Sequence, residues 1–183
     1  MTVGLVEASN APLLARPFYA EGDPGPIVAA LAHVPELLEA TMPFIAVALG
    51  PSAISWRIKE IVILRASAQL ECRYCVQSHT PVALDAGLSR DEVIALRGSA
   101  LADTVFTDTA EVALIHWVDE VATGRGAVSE SLRDALREHY EDPEVVELTV
   151  LVGATMMLNR FCTALELPTS PEVLVRLAEE GLG

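Results

Sequence analysis

The sequence predicts a single all-α domain, and three observations carry that reading. Apolar residues recur with the helical period. From Ala110 to Ala122 they fall at 110, 113, 114, 117, 118 and 121, the i, i+3, i+4, i+7 spacing of one helix face. Helix punctuation recurs as well. Ser89 and Glu92 form a capping box directly after Gly87, which reads as the end of the preceding helix. Asp142-Pro143 and Ser170-Pro171 each set a capping residue before a proline at the first helical position. Finally, no comparable run alternates with the period of two that marks a half-buried strand.

In chain order, residues 1–25 read as an extended N-terminal arm, broken by Pro12, Pro17, Gly22 and Pro24. The all-α domain then covers 26–183. Its helices are expected near 26–33, 36–49, 54–69, 73–86, 90–98, 108–123, 130–140, 143–166 and 171–180. Pro43 should bend or split the second, because proline removes a hydrogen bond and crowds the preceding turn. Loops are expected at 99–107 and 124–128. No internal repeat or low-complexity tract interrupts this order. The helices are apolar enough that some faces are expected to meet another subunit.

Composition narrows the function. About half the chain, 51%, is apolar, enough for a sizeable core. Twelve Lys and Arg against 26 Asp and Glu give a net charge of −14, and no basic cluster stands against that field. A polyanion would be repelled, so nucleic acid is not an expected partner. Met1-Thr2-Val3-Gly4-Leu5 has no basic region leading into an apolar run, and the first cation is Arg16. No secretory signal is expected there. The most apolar stretch, Val145 to Leu158, contains Glu147 and reads as too short to span a bilayer. A soluble, cytoplasmic protein is expected, with no membrane partner. Three cysteines without a signal peptide do not make a secreted disulfide framework.

Chemistry concentrates in one segment, Glu60 to His79. One helix ends near Leu70 and the next begins near Cys72. That second helix puts Cys72, Cys75, Val76 and His79 on one face. Two cysteines three apart at a helix start can bring their sulfurs together, and His79 lies one turn beyond Cys75. The thiolate is the nucleophile, and a helix N-terminus or a nearby imidazolium stabilises its charge. The unperturbed pKa of an imidazole lies near neutrality, so His79 suits proton transfer. A second thiol can resolve a sulfenic acid or a mixed disulfide. Glu60, on the preceding helix, is placed to orient His79 if the two helices pack antiparallel. Pro81 is expected to kink the helix or to restart it with Thr80 as cap.

Each residue also has a plainer reading. The two cysteines could be inert core, or half of a zinc site that only Cys162 or a carboxylate could complete. A c-type haem site would need His where Val76 stands. Glu60 could be a solvated carboxylate paired with Arg57. His33, His116 and His139 carry no pattern, and Cys162 reads as core.

Glu60, eleven intervening residues, Cys72-x-x-Cys75-x-x-x-His79 and Gly87-Leu88-Ser89 together resemble the alkyl hydroperoxidase D-like (AhpD-like) proteins of the carboxymuconolactone decarboxylase superfamily. Asn159-Arg160-Phe161-Cys162-Thr163-Ala164-Leu165-Glu166-Leu167-Pro168 resembles a helix and short tail of its peroxidase-related members. The resemblance spans roughly residues 35–168. It implies a bundle of about eight or nine helices without a sheet, assembled as a homo-oligomer, often a trimer or hexamer. It implies an alkyl hydroperoxide reductase or thiol–disulfide oxidoreductase acting on a small hydroperoxide or disulfide. A dithiol reductant, lipoyl-type or thioredoxin-like, would return the electrons. No cofactor or metal is expected. The family's proton relay falls on Glu60, Cys72, Cys75 and His79, with Cys75 activated through the histidine and Cys72 the more accessible thiol. Tyr74 stands where the best-described members carry a second histidine. It can donate a hydrogen bond, but a phenol with a pKa of about 10 is a poor base at neutrality. Two other readings stand beside this one. The first is a cofactor-free decarboxylase-like lyase using Glu60 and His79. The second is a non-enzymatic scaffold that senses redox state or holds zinc.

Overall fold

The structure, a computed structural model, describes residues 1–98 and 104–183. The described residues form α-helices and short 3₁₀ turns, with no strand. The helices are α1 (Pro26–Leu31), α2 (Pro35–Leu49), α3 (Trp56–Gln69), α4 (Arg73–Asp85), α5 (Arg90–Arg97), α6 (Thr109–Thr123), α7 (Glu130–Arg137), α8 (Asp142–Leu165) and α9 (Pro171–Glu179). The expected loop at 99–107 falls partly outside the described residues, at 99–103.

Helix α3 is the axis of the bundle. It packs against α4, α5, α6 and α8, and every residue from Lys59 to Ser67 is buried. Its apolar residues Ile61, Val62, Ile63, Leu64 and Ala66 join Leu96, Leu114, Val118, Leu148 and Leu151 in the main core. A helix surrounded on all sides cannot leave charges unpaired, because a buried lone ion costs several kcal/mol. The charged side chains of α3 therefore each reach a partner on a neighbouring element. Lys59 Nζ donates to the Gly50 carbonyl at 2.5 Å and meets Glu147 of α8 at 2.9 Å. Arg65 forks onto both carboxylate oxygens of Asp119 of α6, at 2.5 and 2.7 Å, and donates to the Gly98 carbonyl at 2.9 Å. Arg57 bridges Glu92 of α5 and Glu111 of α6, which hold its guanidinium firmly protonated.

The helix punctuation holds, with three adjustments. Ser89 and Glu92 make the expected capping box, and Ser170 accepts from the Val173 N–H. The cap of α8 is Glu141 rather than Asp142, and the Glu144 carboxylate accepts its N–H at 2.9 Å. Pro43 does not split α2, and Pro81 does not restart α4. Just before Pro81, the Thr80 hydroxyl donates to the Val76 carbonyl at 2.7 Å. Residues 1–25 are less extended than expected, because they wind into 3₁₀ turns at Ala8–Asn10 and Leu13–Tyr19. By length and composition α8 suffices to cross a membrane, so the sequence reading of 145–158 as too short is corrected: the helix runs past both ends of that stretch. Here α8 is a core helix. Leu148, Leu151, Val152, Ala154 and Leu158 are buried, and the helix packs against α2, α3, α4 and α6.

The Arg65 fork gives a direct test of this architecture. Arg65→Met keeps the apolar stem but leaves Asp119 with only the Gln69 amide as donor and unpairs the Gly98 carbonyl, so unfolding free energy should fall by about 3 kcal/mol in urea denaturation followed by Trp fluorescence.

Candidate active site

The site begins at the turn between α3 and α4. The Cys72 N–H reaches back to the Ser67 carbonyl at 2.9 Å, and the Glu71 N–H to the Ala68 carbonyl at 3.0 Å. This pair of bonds is a Schellman ending, which requires a left-handed residue between helix and exit. Glu71 takes that role at φ 53°, where a glycine is usual. The turn is so short that Cys72, the last residue of the α3 ending, is also the N-cap of α4. Its sulfur accepts the Cys75 N–H at 3.4 Å and lies 2.6 Å from the Cys75 sulfur. A disulfide needs about 2.05 Å, so the pair is within a small movement of bonding.

A third thiol joins them. Cys162, on α8, packs with Cys72 and Cys75 in a small buried cluster with Ala30 and Leu167, flanked by Val3, Leu5, Tyr74 and Phe161. The sequence reading placed Cys162 in the core, which is correct, but missed its contact with the pair. The available signal was polarity: Thr155, Asn159 and Cys162 line the inward face of an otherwise apolar helix. Asn159 fixes this face against the cysteine turn, since its Oδ1 accepts from the Ser67 hydroxyl at 3.0 Å and both residues are buried. Exposure also corrects the expected division of roles. Cys72, expected to be the more accessible thiol, is wholly buried, while Cys75 is 6% exposed.

Three thiols in contact cannot all ionise, and the geometry selects one. Cys72 accepts hydrogen bonds from Cys162, from Cys75 and from the Cys75 backbone N–H, which together hold it well below the ordinary thiol range despite burial. Cys75 is driven up by its bonds to Cys162 and Cys72 and by burial. Cys162 is driven up chiefly by its bond to Cys72. The helix N-terminus adds its positive end to the Cys72 side.

Glu60 and His79 form a separate pair. The Glu60 carboxylate is buried and meets His79 Nδ1 at 3.0 Å, the ring being a quarter exposed. The alternative of a solvated Glu60 paired with Arg57 does not occur; Arg57 is taken by Glu92 and Glu111. With Nδ1 engaged, Nε2 is the nitrogen left to exchange a proton. No hydrogen bond joins His79 to a thiol. Instead, Glu60 and His79 line an apolar cavity of about 330 Å³ with Met42, Ile45, Trp56 and Val82. Tyr74 is half-buried beside the thiols. Burial first, then the charge of the cysteine cluster, pushes its phenol up to about 12, so it stays a proton donor.

Comparison with known proteins now bears on this geometry. Residues 35–120, which carry Glu60, both cysteines of the pair and His79, match the carboxymuconolactone decarboxylase family. A protein of unknown function from Agrobacterium tumefaciens, described as an AhpD-type antioxidant defence protein, is 25% identical, with a TM-score of 0.71 over 77% of this chain and 95% of its own. Residues 35–120 thus match the carboxymuconolactone decarboxylase family, and the chain as a whole has an AhpD-like fold. Two more distant solved structures match nearly the whole chain. An uncharacterised peroxidase-related protein with an alkylhydroperoxidase core, from Ralstonia eutropha JMP134, is 17% identical, with a TM-score of 0.81 over 94% of this chain and 93% of its own. A variant of the debrominase Bmp8 bound to 2,3,4-tribromopyrrole is 18% identical, with a TM-score of 0.80 over 98% of this chain and 97% of its own. No protein of curated function matches significantly.

Within this AhpD-like frame, the thiols can carry nucleophilic and redox chemistry, and Glu60 with His79 can carry proton transfer. Among the described residues, no group of three or more His, Cys, Asp or Glu side chains is arranged to hold a metal ion.

The thiol assignment predicts a titration. Thiolate absorbance in the reduced protein should persist at pH values well below the ordinary thiol midpoint of about 8.5, and Cys72→Ser should abolish that low-pH step. Cys75→Ala should weaken it by removing the side-chain bond to the thiolate while the backbone N–H bond remains. A single step at the ordinary midpoint in wild type would refute the assignment.

Proposed function

We propose that the chain is a cysteine-based alkyl hydroperoxide reductase or thiol–disulfide oxidoreductase. The observation that carries the reading is the Cys72–Cys75 pair, 2.6 Å apart at a helix N-terminus, with Cys72 favoured as thiolate. In the peroxidase cycle, the Cys72 thiolate attacks the terminal oxygen of a hydroperoxide. The O–O bond breaks, the alkoxide takes a proton and leaves as the alcohol, and Cys72 becomes a sulfenic acid. The Cys75 sulfur then attacks Cys72, water leaves, and a disulfide forms. A dithiol such as a lipoyl group or a thioredoxin-like protein returns two electrons. His79, held by Glu60, supplies and collects protons through solvent.

One observation favours a second reading. Glu60 and His79 line their own apolar cavity without touching the thiols. A cofactor-free lyase would use that pair as acid and base and leave the cysteines structural. On either reading the protein is proposed to be a soluble, cytoplasmic homo-oligomer. The support is a set of exposed apolar residues, Phe44, Val47, Trp56 and Val82, on the elements around this cavity, which another copy could cover.

Turnover separates the readings. A panel of an organic hydroperoxide, hydrogen peroxide, a small disulfide and a brominated pyrrole is assayed with dithiothreitol, beside a carboxylated lactone without reductant. Cys72→Ser should abolish hydroperoxide or disulfide turnover, and Cys75→Ser should slow it by removing the resolving thiol on the same turn. Glu60→Gln should lower kcat by about 10- to 100-fold with the thiol titration intact. Lactone turnover that survives loss of both thiols and is lost in Glu60→Gln would favour the lyase instead.

A further inference from the structure

Cys162 is unused by the cycle above, yet it touches both thiols of the pair. It also lines a cavity of about 310 Å³, walled by Glu71, Arg73, Tyr74, Thr163 and Glu166, that neither Cys72 nor Cys75 borders. The backbone around this cavity is unusual. Glu71 and Glu166, each at φ 53°, are the only non-glycine residues in the left-handed region among the described residues. Each closes a Schellman ending, Glu71 that of α3 and Glu166 that of α8, where the Leu167 N–H donates to the Cys162 carbonyl at 3.0 Å. Both therefore carry strain that glycine would remove, and both stand on the wall of the same cavity. On the other side Val3 and Leu5 pack on the cluster, and the Thr2 N–H donates to the Leu165 carbonyl at 3.1 Å.

We propose that Cys162 is the third thiol of the redox centre. It takes over the disulfide from Cys75 and presents it to a small dithiol that binds in this cavity. The inference rests on the redox reading of the Cys72–Cys75 pair. In the oxidised centre, the Cys162 thiol loses its proton and attacks the Cys72 sulfur. The Cys72–Cys75 bond breaks, Cys75 leaves and takes up a proton, and a Cys72–Cys162 disulfide forms with no net oxidation. A thiolate of the external dithiol then attacks the Cys162 sulfur from the cavity and releases Cys72 as the stabilised thiolate. The second thiol of the reductant displaces Cys162, which is protonated as the cyclic or linear disulfide product departs. In sum, the protein gains two electrons and the dithiol loses them.

Cys72 is shared by both bonds, and it is the leaving group when the external dithiol attacks Cys162; there its stabilised thiolate departs readily, because exchange is faster with a lower-pKa leaving group. Cys75 resolves the oxidised Cys72 quickly because it sits on the same turn. Cys162 connects that closed turn to the cavity.

Disulfide mapping tests this directly. Arg73 lies between Cys72 and Cys75, and Arg160 precedes Cys162, so trypsin puts the three thiols on three peptides. Full-length reduced protein is oxidised with an organic hydroperoxide or diamide, quenched in acid with alkylation, and digested. Wild type should yield both Cys72–Cys75 and Cys72–Cys162 peptides. Cys75→Ser should yield the Cys72–Cys162 peptide alone, in near-stoichiometric amount. Cys162→Ser should form Cys72–Cys75 normally, but dithiothreitol should reduce it about tenfold more slowly than wild type, with Cys162→Ala giving the same rate. The inference is overturned if the Cys72–Cys162 peptide is absent from both wild type and Cys75→Ser, or if Cys162→Ser is reduced at the wild-type rate. If no oxidant produces any disulfide in wild type, the redox reading itself fails.

Discussion

The fold depends on burying a charged helix. Lys59, Glu60, Arg65 and Ser67 lie inside the protein, on a helix with neighbours on all sides. The desolvation of such groups costs several kcal/mol apiece unless a partner meets each one. α3 resolves this by assigning its polar residues outward in different directions: Lys59 to α8, Glu60 to α4, Arg65 to α6, Ser67 to α8. These contacts are directional in a way that apolar packing is not. A shift of α3 by one residue would leave the aliphatic core tolerable but would unpair every charge. The polar set thus fixes the register of the bundle, and the register in turn decides which residue of α4 faces Glu60 and which thiol of α8 faces the cysteine turn.

That second consequence links packing to chemistry. The Ser67–Asn159 bond pins α8 beside the end of α3, one turn before Cys162. The Schellman ending at Glu71 then reverses the chain within the space of a single residue and delivers Cys72 as a helix cap. Neither feature concerns sulfur, yet together they bring three thiols from two distant parts of the sequence into one pocket. The left-handed Glu71 costs about 1 kcal/mol relative to glycine. A longer, relaxed turn would avoid that cost and would also separate Cys72 from the first turn of α4.

The helical order and most helix ends were legible because they follow from local signals. Period, capping boxes and prolines act within a few residues, so Ser89, Ser170 and Gly87 could be placed without knowing their neighbours. The spacing from Cys72 to His79 was legible for the same reason. Glu60 entered through family resemblance, and only the burial of its carboxylate against His79 Nδ1 distinguishes it from a surface carboxylate. What the sequence hid is tertiary. Cys162 lies 87 residues beyond Cys75, and nothing local marks a cysteine on an apolar helix as a neighbour of another thiol. The accessible role expected for Cys72 failed likewise, because burial comes from Val3, Leu5 and α8 rather than from its own helix.

The site also divides its work in space. The Glu60–His79 pair opens on one cavity and the thiol cluster borders another, with the α3–α4 packing between them. A linear relay, in which the histidine deprotonates Cys75, needs a contact that this arrangement does not supply. The cluster needs no such base to reach its reactive state, because two neighbouring thiols and a helix N-terminus already favour the Cys72 thiolate. In a low-dielectric pocket a second negative charge a few ångströms away is strongly disfavoured, which favours one thiolate and two thiols in the reduced centre. Closing a disulfide from that state releases one proton rather than two. On the proposed redox reading, the histidine's part shifts from activating the nucleophile to handling protons at the leaving group and in the resolving step. That division explains how the cluster can keep its thiolate even with Tyr74, a poor base, standing between the cysteines.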